Sequence, residues 1–164
     1  MYKRQNIYHE ALERYSKKLD RGSTDWFSVT DAKRDELAME AINEVIDEYA
    51  GFGIFDTAES KHSISHMKAV FKQTVWALTT QIRRGSFVPE RFEFSFYESL
   101  DMANDVTVDI KGRVDRTDTY TDEGRLFVKV LDYKSGNTVF DRVKLYYGTQ
   151  LQLAVYMDAV MEQK

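Results

Sequence analysis

Two aspartates and a lysine near the middle of the chain have the types and spacing needed for metal-assisted hydrolysis. Asp115 lies in the run Gly112–Arg116, and Asp132 and Lys134 lie in the run Leu131–Lys134. Side chains alternate faces along a strand, so Asp132 and Lys134 point the same way if this segment is extended. Two carboxylates and an ammonium on one face of a sheet would form a compact charged patch.

The residues around this patch predict two antiparallel strands joined by a short turn. Both flanking runs are rich in β-branched and aromatic side chains, and the Asp-Glu-Gly between them has the composition of a tight connection. If the loop holds an even number of residues, Asp115 lies on the same face as Asp132. The two would then be directly opposite or one diagonal step apart, within about 4.5–8 Å.

Carboxylates this close repel each other and lose hydration on a buried sheet, and a divalent cation removes that cost. Mg²⁺ takes oxygen ligands and usually keeps several waters, so Asp115, Asp132 and the main-chain carbonyl of Tyr133 would make an open site. Mn²⁺ could substitute. Lys134 would orient or deprotonate a water at the ion and balance charge on a phosphate. An ordinary cross-strand salt bridge is the alternative interpretation of these residues.

Four segments, in order along the chain, together resemble the signature of PD-(D/E)XK nucleases in their RecB form. They are Asn6–Arg14, which is similar to the family's histidine-bearing opening helix, Gly112–Arg116, Leu131–Gly136, and Tyr146–Leu153 with Tyr156. More narrowly, the chain resembles the nuclease domain of the AddB/RexB component of bacterial ATP-dependent helicase–nucleases. The resemblance extends from about His9 to Tyr156, most of the sequence.

The resemblance implies which residues act in the site. The implied metal ligands are His9, Asp115, Asp132 and the carbonyl of Tyr133. The implied catalytic residues are Asp115, Asp132, Lys134, Gln152 and Tyr156. Gln152 and Tyr156 are one helical turn apart and so point in the same direction, and the family implies that they brace the lysine and the scissile phosphate. On the residues alone, the alternatives are a packed or surface histidine and an interfacial Gln and Tyr.

The resemblance also implies an activity. The expected enzyme is a Mg²⁺-dependent deoxyribonuclease, an exonuclease that hydrolyses single-stranded DNA delivered by a helicase partner subunit during double-strand-break repair by homologous recombination. The sequence contains no Gly-x-x-x-x-Gly-Lys-Ser/Thr motif, so the partner would supply ATP hydrolysis. Two alternatives stay open, a non-catalytic DNA-binding module that has kept the nuclease fold and a stand-alone RecB-like nuclease of another branch.

The composition narrows these expectations. The 164 residues are 43% hydrophobic, enough for one globular core. The sequence has no long apolar run and no secretion leader, so we expect a cytoplasmic protein outside the membrane.

Without cysteine, these residues can hold no iron–sulfur cluster. AddB-type domains commonly have one, so we expect a fragment of a longer subunit or a lineage without it. The net charge of −4 argues against broad non-specific affinity for nucleic acid.

The hydrophobic pattern predicts a mixed α and β fold, which by resemblance has a restriction-endonuclease-like core. We expect one nuclease domain over residues 1–164, mainly helical through residue 86, followed by a sheet core from residue 87 that carries the catalytic motifs. Helical periods predict helices near Asn6–Leu19, Asp31–Tyr49, Ser63–Gly85 and Arg142–Glu162, the last closing the core. The first has an apolar stripe at Tyr8, Leu12, Tyr15 and Leu19. We expect Thr30 or Asp31 to cap the second helix and Ser63 or Ser65 the third. Glycines should end the first two helices, Gly22 the first and Gly51 and Gly53 the second.

The sheet is expected to be central and mixed, with four or five strands flanked by helices. Phe92–Phe96 alternates apolar and polar residues, as in a strand with one apolar face. Leu126–Leu131 is apolar on both faces, which predicts a central strand. Glu93 lies about where the family has a glutamate. It is a candidate for an outer or additional metal group, and we expect it not to bind the ion directly.

Overall fold

The computed structural model describes residues 2–21, 24–50, 58–102, 106–134, 141–147 and 151–162. Its elements, in chain order, are α1 (Tyr2–Arg21), α2 (Asp31–Ala50), α3 (Ala58–Arg83), β1 (Val88–Met102), β2 (Val106–Asp122), β3 (Arg125–Leu131), α4 (Arg142–Tyr146) and α5 (Gln152–Glu162). The predicted mixed α and β class with a helical N-terminal half is confirmed. The chain forms two compact units, Met1–Ser86 and Phe87–Lys164. That they act as a single nuclease domain stays a prediction.

The first unit is a layer of three helices, in which α1 packs against α2 and α2 against α3. Three of the four residues in the predicted stripe on α1, Leu12, Tyr15 and Leu19, are buried, and Tyr8 is half-buried. The Tyr15 ring meets Trp26 edge to face at 5.1 Å between centroids. The apolar positions of the other two helices recur every three or four residues and are mostly buried. No helix in the described ranges has the length and apolar character to cross a bilayer.

The helix boundaries agree with the sequence patterns in one case and differ in another. Thr30 caps α2 as predicted, because its hydroxyl accepts a hydrogen bond from the amide of Lys33 at 3.3 Å. Helix α3 was expected to begin at a serine cap at Ser63 or Ser65, but it begins at Ala58. The Ser65 hydroxyl instead donates to the carbonyl of Lys61 inside the helix. The glycines predicted to end α1 and α2, Gly22, Gly51 and Gly53, lie outside the described residues.

The second unit contains an antiparallel sheet in the order β1-β2-β3. The prediction of a mixed sheet with four or five strands is therefore wrong for the described part of the chain, where three strands pair and all are antiparallel. The core of this unit joins β1 and β2 to α5 through Phe96, Val114, Ala159 and Val160. The predicted strand at Phe92–Phe96 is confirmed as part of β1.

Two further expectations about this unit are wrong. Leu126–Leu131 was expected to be a central strand, but β2 is central and β3 lies at the edge of the described sheet. Leu126 and Phe127 are 49% and 44% exposed, because apolar residues on both faces do not by themselves guarantee cover on both faces. The predicted single closing helix is two helices, since α4 ends at Tyr146 and α5 begins at Gln152.

Candidate active site

A two-residue turn between β2 and β3 sets the positions of the two central aspartates. Glu123 and Gly124 both have positive φ, 46° and 77°, the backbone that suits a tight hairpin. The register pairs Arg116 with Leu131 at the far end of the ladder. Asp115 and Asp132 come next along the two segments, so a continuation of this register by one step would set them opposite each other. The loop holds two residues, and an even loop was the condition for Asp115 and Asp132 to lie on the same face of the sheet.

Asp132 and Lys134 follow β3 directly and contact each other. The Lys134 Nζ atom lies 2.7 Å from Asp132 Oδ2, with side-chain exposures of 39% and 12% respectively. Lys134 Nζ also donates to Gln152 Oε1 at 3.1 Å. The cation is thus held between a carboxylate and an amide oxygen, with part of its surface open to solvent.

Gln152, the first residue of α5, links the remaining groups. Its Nε2 atom donates to Asp132 Oδ1 at 3.2 Å and to the Tyr156 hydroxyl at 2.8 Å. The predicted common direction of Gln152 and Tyr156 is confirmed by this contact. Asp132, Lys134, Gln152 and Tyr156 therefore form one hydrogen-bonded group. We call it the catalytic cluster, because the resemblance to the nuclease family assigns these residues to catalysis.

The ring of Tyr156 is positioned by a close approach between strands. It meets Phe96 edge to face, with centroids 5.7 Å apart and planes at 82°. Phe96 pairs with Gly112 in the register between β1 and β2. A Cβ atom at Gly112 would lie 2.6 Å from the Phe96 ring and 3.2 Å from the Tyr156 ring. Glycine is required here because the two aromatic rings occupy the space that any side chain would fill.

Asp115 is buried and contacts the main chain that follows β3. Its Oδ2 atom accepts a hydrogen bond from the backbone N–H of Tyr133 at 2.5 Å. Only 7% of the residue is exposed. A short bond from an amide to a carboxylate is charge-assisted, so it fixes Asp115 and Tyr133 firmly against each other.

Glu93 lies opposite Asp115 in the register of β1 against β2, which pairs Phe92 with Arg116 and Phe94 with Val114. Oxygens of the two carboxylates lie within 4.8 Å of each other. Glu93 has a φ of 49°, uncommon for a residue other than glycine. Its Oε2 atom lies 3.7 Å from the guanidinium of Arg113, and its side chain is 9% exposed. Backbone strain of this kind concentrates at functional sites. That Glu93 does not bind the ion directly stays a prediction, but its proximity to Asp115 makes it a candidate ligand. Local patterns could not indicate this proximity, because they do not reveal the register of β1 against β2.

A buried ionic network lies beside these groups. Arg116 makes two hydrogen bonds to the carboxylate of Asp118, at 2.5 and 2.6 Å, and one to the Tyr133 hydroxyl at 3.0 Å. Burial raises the pKa of the Tyr133 phenol. Burial acts to lower the pKa of Arg116, but the hydrogen bonds and charge of Asp118 outweigh it, and the net shift is upward. This network is charged and buried without being part of the catalytic cluster.

The arrangement fits a hard divalent cation. Glu93, Asp115 and Asp132 supply carboxylates, the ligands that Mg²⁺ prefers, and two of these carboxylates converge closely enough that an ion would relieve their repulsion. Binding by Asp115, Asp132 and the Tyr133 carbonyl stays a prediction. His9 lies on α1 in the first unit, and its role as a ligand also stays a prediction. Ser135, Gly136 and the segment 148–150, all parts of the matched motifs, lie outside the described residues.

Comparison with known proteins agrees with this site. The model of the PD-(D/E)XK nuclease superfamily matches residues 6–164. The chain is 37% identical over 158 residues to the B subunit of the ATP-dependent helicase/deoxyribonuclease of Lachnoclostridium phytofermentans, covering 96% of this chain and 13% of that protein. It is 30% identical over 166 residues to the protein of the same name from Alkaliphilus metalliredigens, covering 96% and 14%.

The chain thus spans about one seventh of the length of these relatives. The match nevertheless runs through every motif described above, from the opening helix to α5. The chain belongs to the PD-(D/E)XK nuclease superfamily.

Proposed function

We propose that this chain is a divalent-metal-dependent deoxyribonuclease that hydrolyses phosphodiester bonds in single-stranded DNA. The observation that supports this most strongly is the catalytic cluster, in which a lysine, an aspartate, a glutamine and a tyrosine are joined by hydrogen bonds beside Asp115. An ordinary salt bridge would need only Asp132 and Lys134, which lie two residues apart on one segment. The additional bonds from Gln152 hold the lysine in one place, which a solvated ion pair does not require.

The residues divide the chemistry between them. Asp115, Asp132 and the Tyr133 carbonyl would hold Mg²⁺, with Glu93 as a fourth oxygen donor and His9 as a nitrogen donor. When bound, Mg²⁺ supplies Lewis-acid polarisation of the phosphate and a lowered pKa for water. Lys134, as an ammonium, would orient the attacking water and stabilise negative charge as it develops on the phosphate. Gln152 would hold the Lys134 ammonium close to the phosphate through its hydrogen bond, and Tyr156 would hold Gln152 in place.

The wider setting is also a proposal. The relatives are named as subunits of an ATP-dependent helicase/deoxyribonuclease, and this supports delivery of single strands by a helicase partner, exonucleolytic cutting and a role in double-strand-break repair by homologous recombination. Exonucleolytic cutting predicts that linear single-stranded DNA is degraded while circular single-stranded DNA is resistant. A stable interaction with the helicase predicts co-purification of the two chains.

The activity is tested by removing one charged group at a time. Asp132→Ala and Lys134→Ala should each lower the rate of Mg²⁺-dependent hydrolysis of single-stranded DNA by about 10³-fold, equivalent to about 4 kcal/mol of transition-state stabilisation. Asp122→Ala and Lys111→Ala are matched controls, because both residues are exposed on the same hairpin, and they should cut at the wild-type rate. Circular dichroism would check that all four variants fold.

The competing function is a DNA-binding module without catalysis. Folded wild-type protein that binds single-stranded DNA but cuts it, with its helicase partner present, no faster than Asp132→Ala would establish that alternative. Metal binding by Asp115 and Asp132 would then be structural. His9→Ala provides a separate check on the nitrogen donor, since its loss should weaken Mn²⁺ binding more than Mg²⁺ binding.

A further inference from the structure

Two neighbouring tyrosines at the end of α4 have no part in the catalytic cluster. Tyr146 and Tyr147 are 85% and 73% exposed, and their rings meet edge to face with centroids 5.3 Å apart. They belong to one of the four segments that match the nuclease signature, yet nothing in the chemistry above uses them. Exposing two large rings side by side is unfavourable unless something covers them.

The turn that carries these rings is ordered. The Asp141 side chain accepts hydrogen bonds from the amides of Val143 and Lys144, and the Tyr147 amide donates to the carbonyl of Val143 at 3.0 Å. Leu145, on the same turn, is partly buried. The rings are therefore presented from a capped turn, so binding them to a ligand would cost little ordering of the backbone.

Charge on the same turn indicates the class of ligand. Arg142 and Lys144 are exposed on α4, and Arg142 is one helical turn from Tyr146, on the same side. Exposed aromatic rings interleaved with cations are the usual means of binding single-stranded nucleic acid, with bases stacked on the rings and phosphates near the cations. An apolar protein partner would have no use for the two cations.

We propose that Tyr146 and Tyr147 form a stacking site for unpaired bases of the strand that the catalytic cluster cuts. The proposal rests on the proposed nuclease function. Tyr147 precedes Gln152 by five residues, so their Cα atoms are at most about 19 Å apart at 3.8 Å per residue. One strand can therefore reach both groups. Bases in a duplex are already stacked on each other, so this site selects single strands.

The test compares variants and probes in a binding titration by fluorescence anisotropy, in EDTA so that no strand is cut. Tyr146→Ala with Tyr147→Ala should weaken binding of a single-stranded oligonucleotide about 10- to 100-fold. The double change to phenylalanine should bind normally, because the rings remain. Tyr97→Ala, which removes a 60% exposed tyrosine from β1, is the control and should bind normally.

A second probe isolates stacking from charge. An oligonucleotide with abasic sites should bind wild-type protein as weakly as the alanine double variant binds the intact strand, and the variant should not distinguish the two probes. If the alanine variant binds intact strands as well as wild type, or loses duplex binding to the same extent, the stacking site is wrong. If wild type binds no DNA at all, the proposed function fails first.

The buried network of Arg116 supports a second, independent inference. Arg116 and Asp118 are each about 1% exposed, and buried ion pairs are weak stabilisers because desolvation offsets their attraction. Arg116 also donates a hydrogen bond to the Tyr133 hydroxyl, and Asp115 accepts one from the backbone N–H of the same residue. Tyr133 is thus fixed at both its side chain and its main chain.

We infer that Arg116 is a positioning residue that acts on the metal site through Tyr133. Held in this way, the Tyr133 main chain keeps Asp115 and the Tyr133 carbonyl in the relative position that a shared ion requires. The inference rests on the proposed metal site. Groups behind metal ligands typically change metal affinity or activity 10- to 100-fold when they are removed.

Calorimetric titration with Mn²⁺ tests this inference without an activity assay. Tyr133→Phe removes only the hydroxyl, and Arg116→Met combined with Asp118→Leu removes both buried charges together. The first should weaken Mn²⁺ binding several-fold and the second about 10- to 100-fold, and raised Mg²⁺ should restore part of the cleavage rate in both. Tyr120→Phe, on the same strand as Arg116, is the matched control and should bind Mn²⁺ as wild type does.

Folded variants with wild-type Mn²⁺ affinity would reduce Arg116 to a structural residue and overturn the inference. Wild-type protein that binds no Mn²⁺ would instead refute the metal site on which it rests. For any variant that does not fold, Tyr133→Phe alone decides the question, because it deletes one oxygen and leaves the ion pair intact.

Discussion

Charged residues are used differently in the two units of the chain. In the helical unit most described pairs lie on exposed surfaces, as where Arg14 contacts Glu10 and Glu48 at 2.6 and 2.5 Å. The buried Arg34 is an exception, but its partner Asp31 is exposed. In the sheet unit they are withdrawn from water, as in the pair of Arg116 with Asp118, whose side chains are 1% and 2% exposed. Exposed pairs contribute little to stability and cost little, whereas buried charges cost several kcal/mol in desolvation.

The two kinds of charged group differ in how well they tolerate substitution. A surface pair between helices can be exchanged for other polar residues, because water solvates whatever remains. Buried and converging charges need every partner in place, and the sheet unit contains both the Arg116 network and the close approach of Glu93 to Asp115. We infer that the sheet unit bears the larger energetic cost of buried charge, and that its chemistry requires this cost.

The largest expected effect comes from breaking one ion pair in each unit. Arg116→Met leaves the Asp118 carboxylate buried without its partner, and it should lower the free energy of unfolding by about 3–5 kcal/mol. Arg14→Met in the helical unit should lower it by at most about 1 kcal/mol. Chemical denaturation of both variants measures the contrast. Equal losses would show that the two networks are energetically alike and would remove the basis of the comparison.

A smaller effect is expected where backbone and aromatic rings approach closely. Gly112→Ala places a methyl group 2.6 Å from the Phe96 ring, and overpacking of this kind costs about 1–3 kcal/mol. Gly85→Ala is the control, because its Cβ would meet nothing nearer than 3.8 Å. Gly112→Ala should also lose cleavage activity, since Tyr156 packs against the Phe96 ring that the new methyl group would displace. A Gly112→Ala protein with normal stability and activity would contradict this account of how Tyr156 is positioned.

The smallest expected effect concerns acid sensitivity of the helical unit. The hydrogen bond from Arg14 holds the pKa of Glu48 below its ordinary value. The stability that this pair adds to the folded state is therefore present above the ordinary glutamate pKa. It is lost as the pH falls through the lowered pKa of Glu48. Melting temperatures of wild type and Glu48→Gln should differ slightly at neutral pH and approach each other as the pH falls below the ordinary glutamate pKa. A difference independent of pH would show that Glu48 acts through packing.

Local patterns in the sequence were sufficient to predict much of the fold and the arrangement of residues at the centre of the site. The helical periods identified the buried stripes because burial on a helix recurs every three or four residues. The Asp-Glu-Gly turn predicted that Asp115 and Asp132 share a face if the loop is even, since a hairpin register follows from its loop. The spacing of Gln152 and Tyr156 predicted their common direction, because that depends only on one helical turn.

Features that depend on distant partners could not be predicted in this way. An apolar strand such as β3 does not reveal whether a neighbour covers it, so it was assigned to the centre of the sheet and lies at the edge. The proximity of Glu93 to Asp115 depends on the register between β1 and β2, which includes an irregularity between Pro89 and Arg91. The break between α4 and α5 was also missed, because the apolar residues of the two helices continue one helical period across it.

The central claim is that Asp115 and Asp132 hold one divalent ion in the sheet unit. It is tested most directly by soaking crystals in Mn²⁺ and locating the metal by anomalous diffraction. The account predicts a single strong peak about 2.1 Å from a carboxylate oxygen of each aspartate, and loss of that peak in Asp132→Ala crystals. Ordered Asp115 and Asp132 side chains without a peak between them, at a Mn²⁺ concentration that supports cleavage, would contradict it.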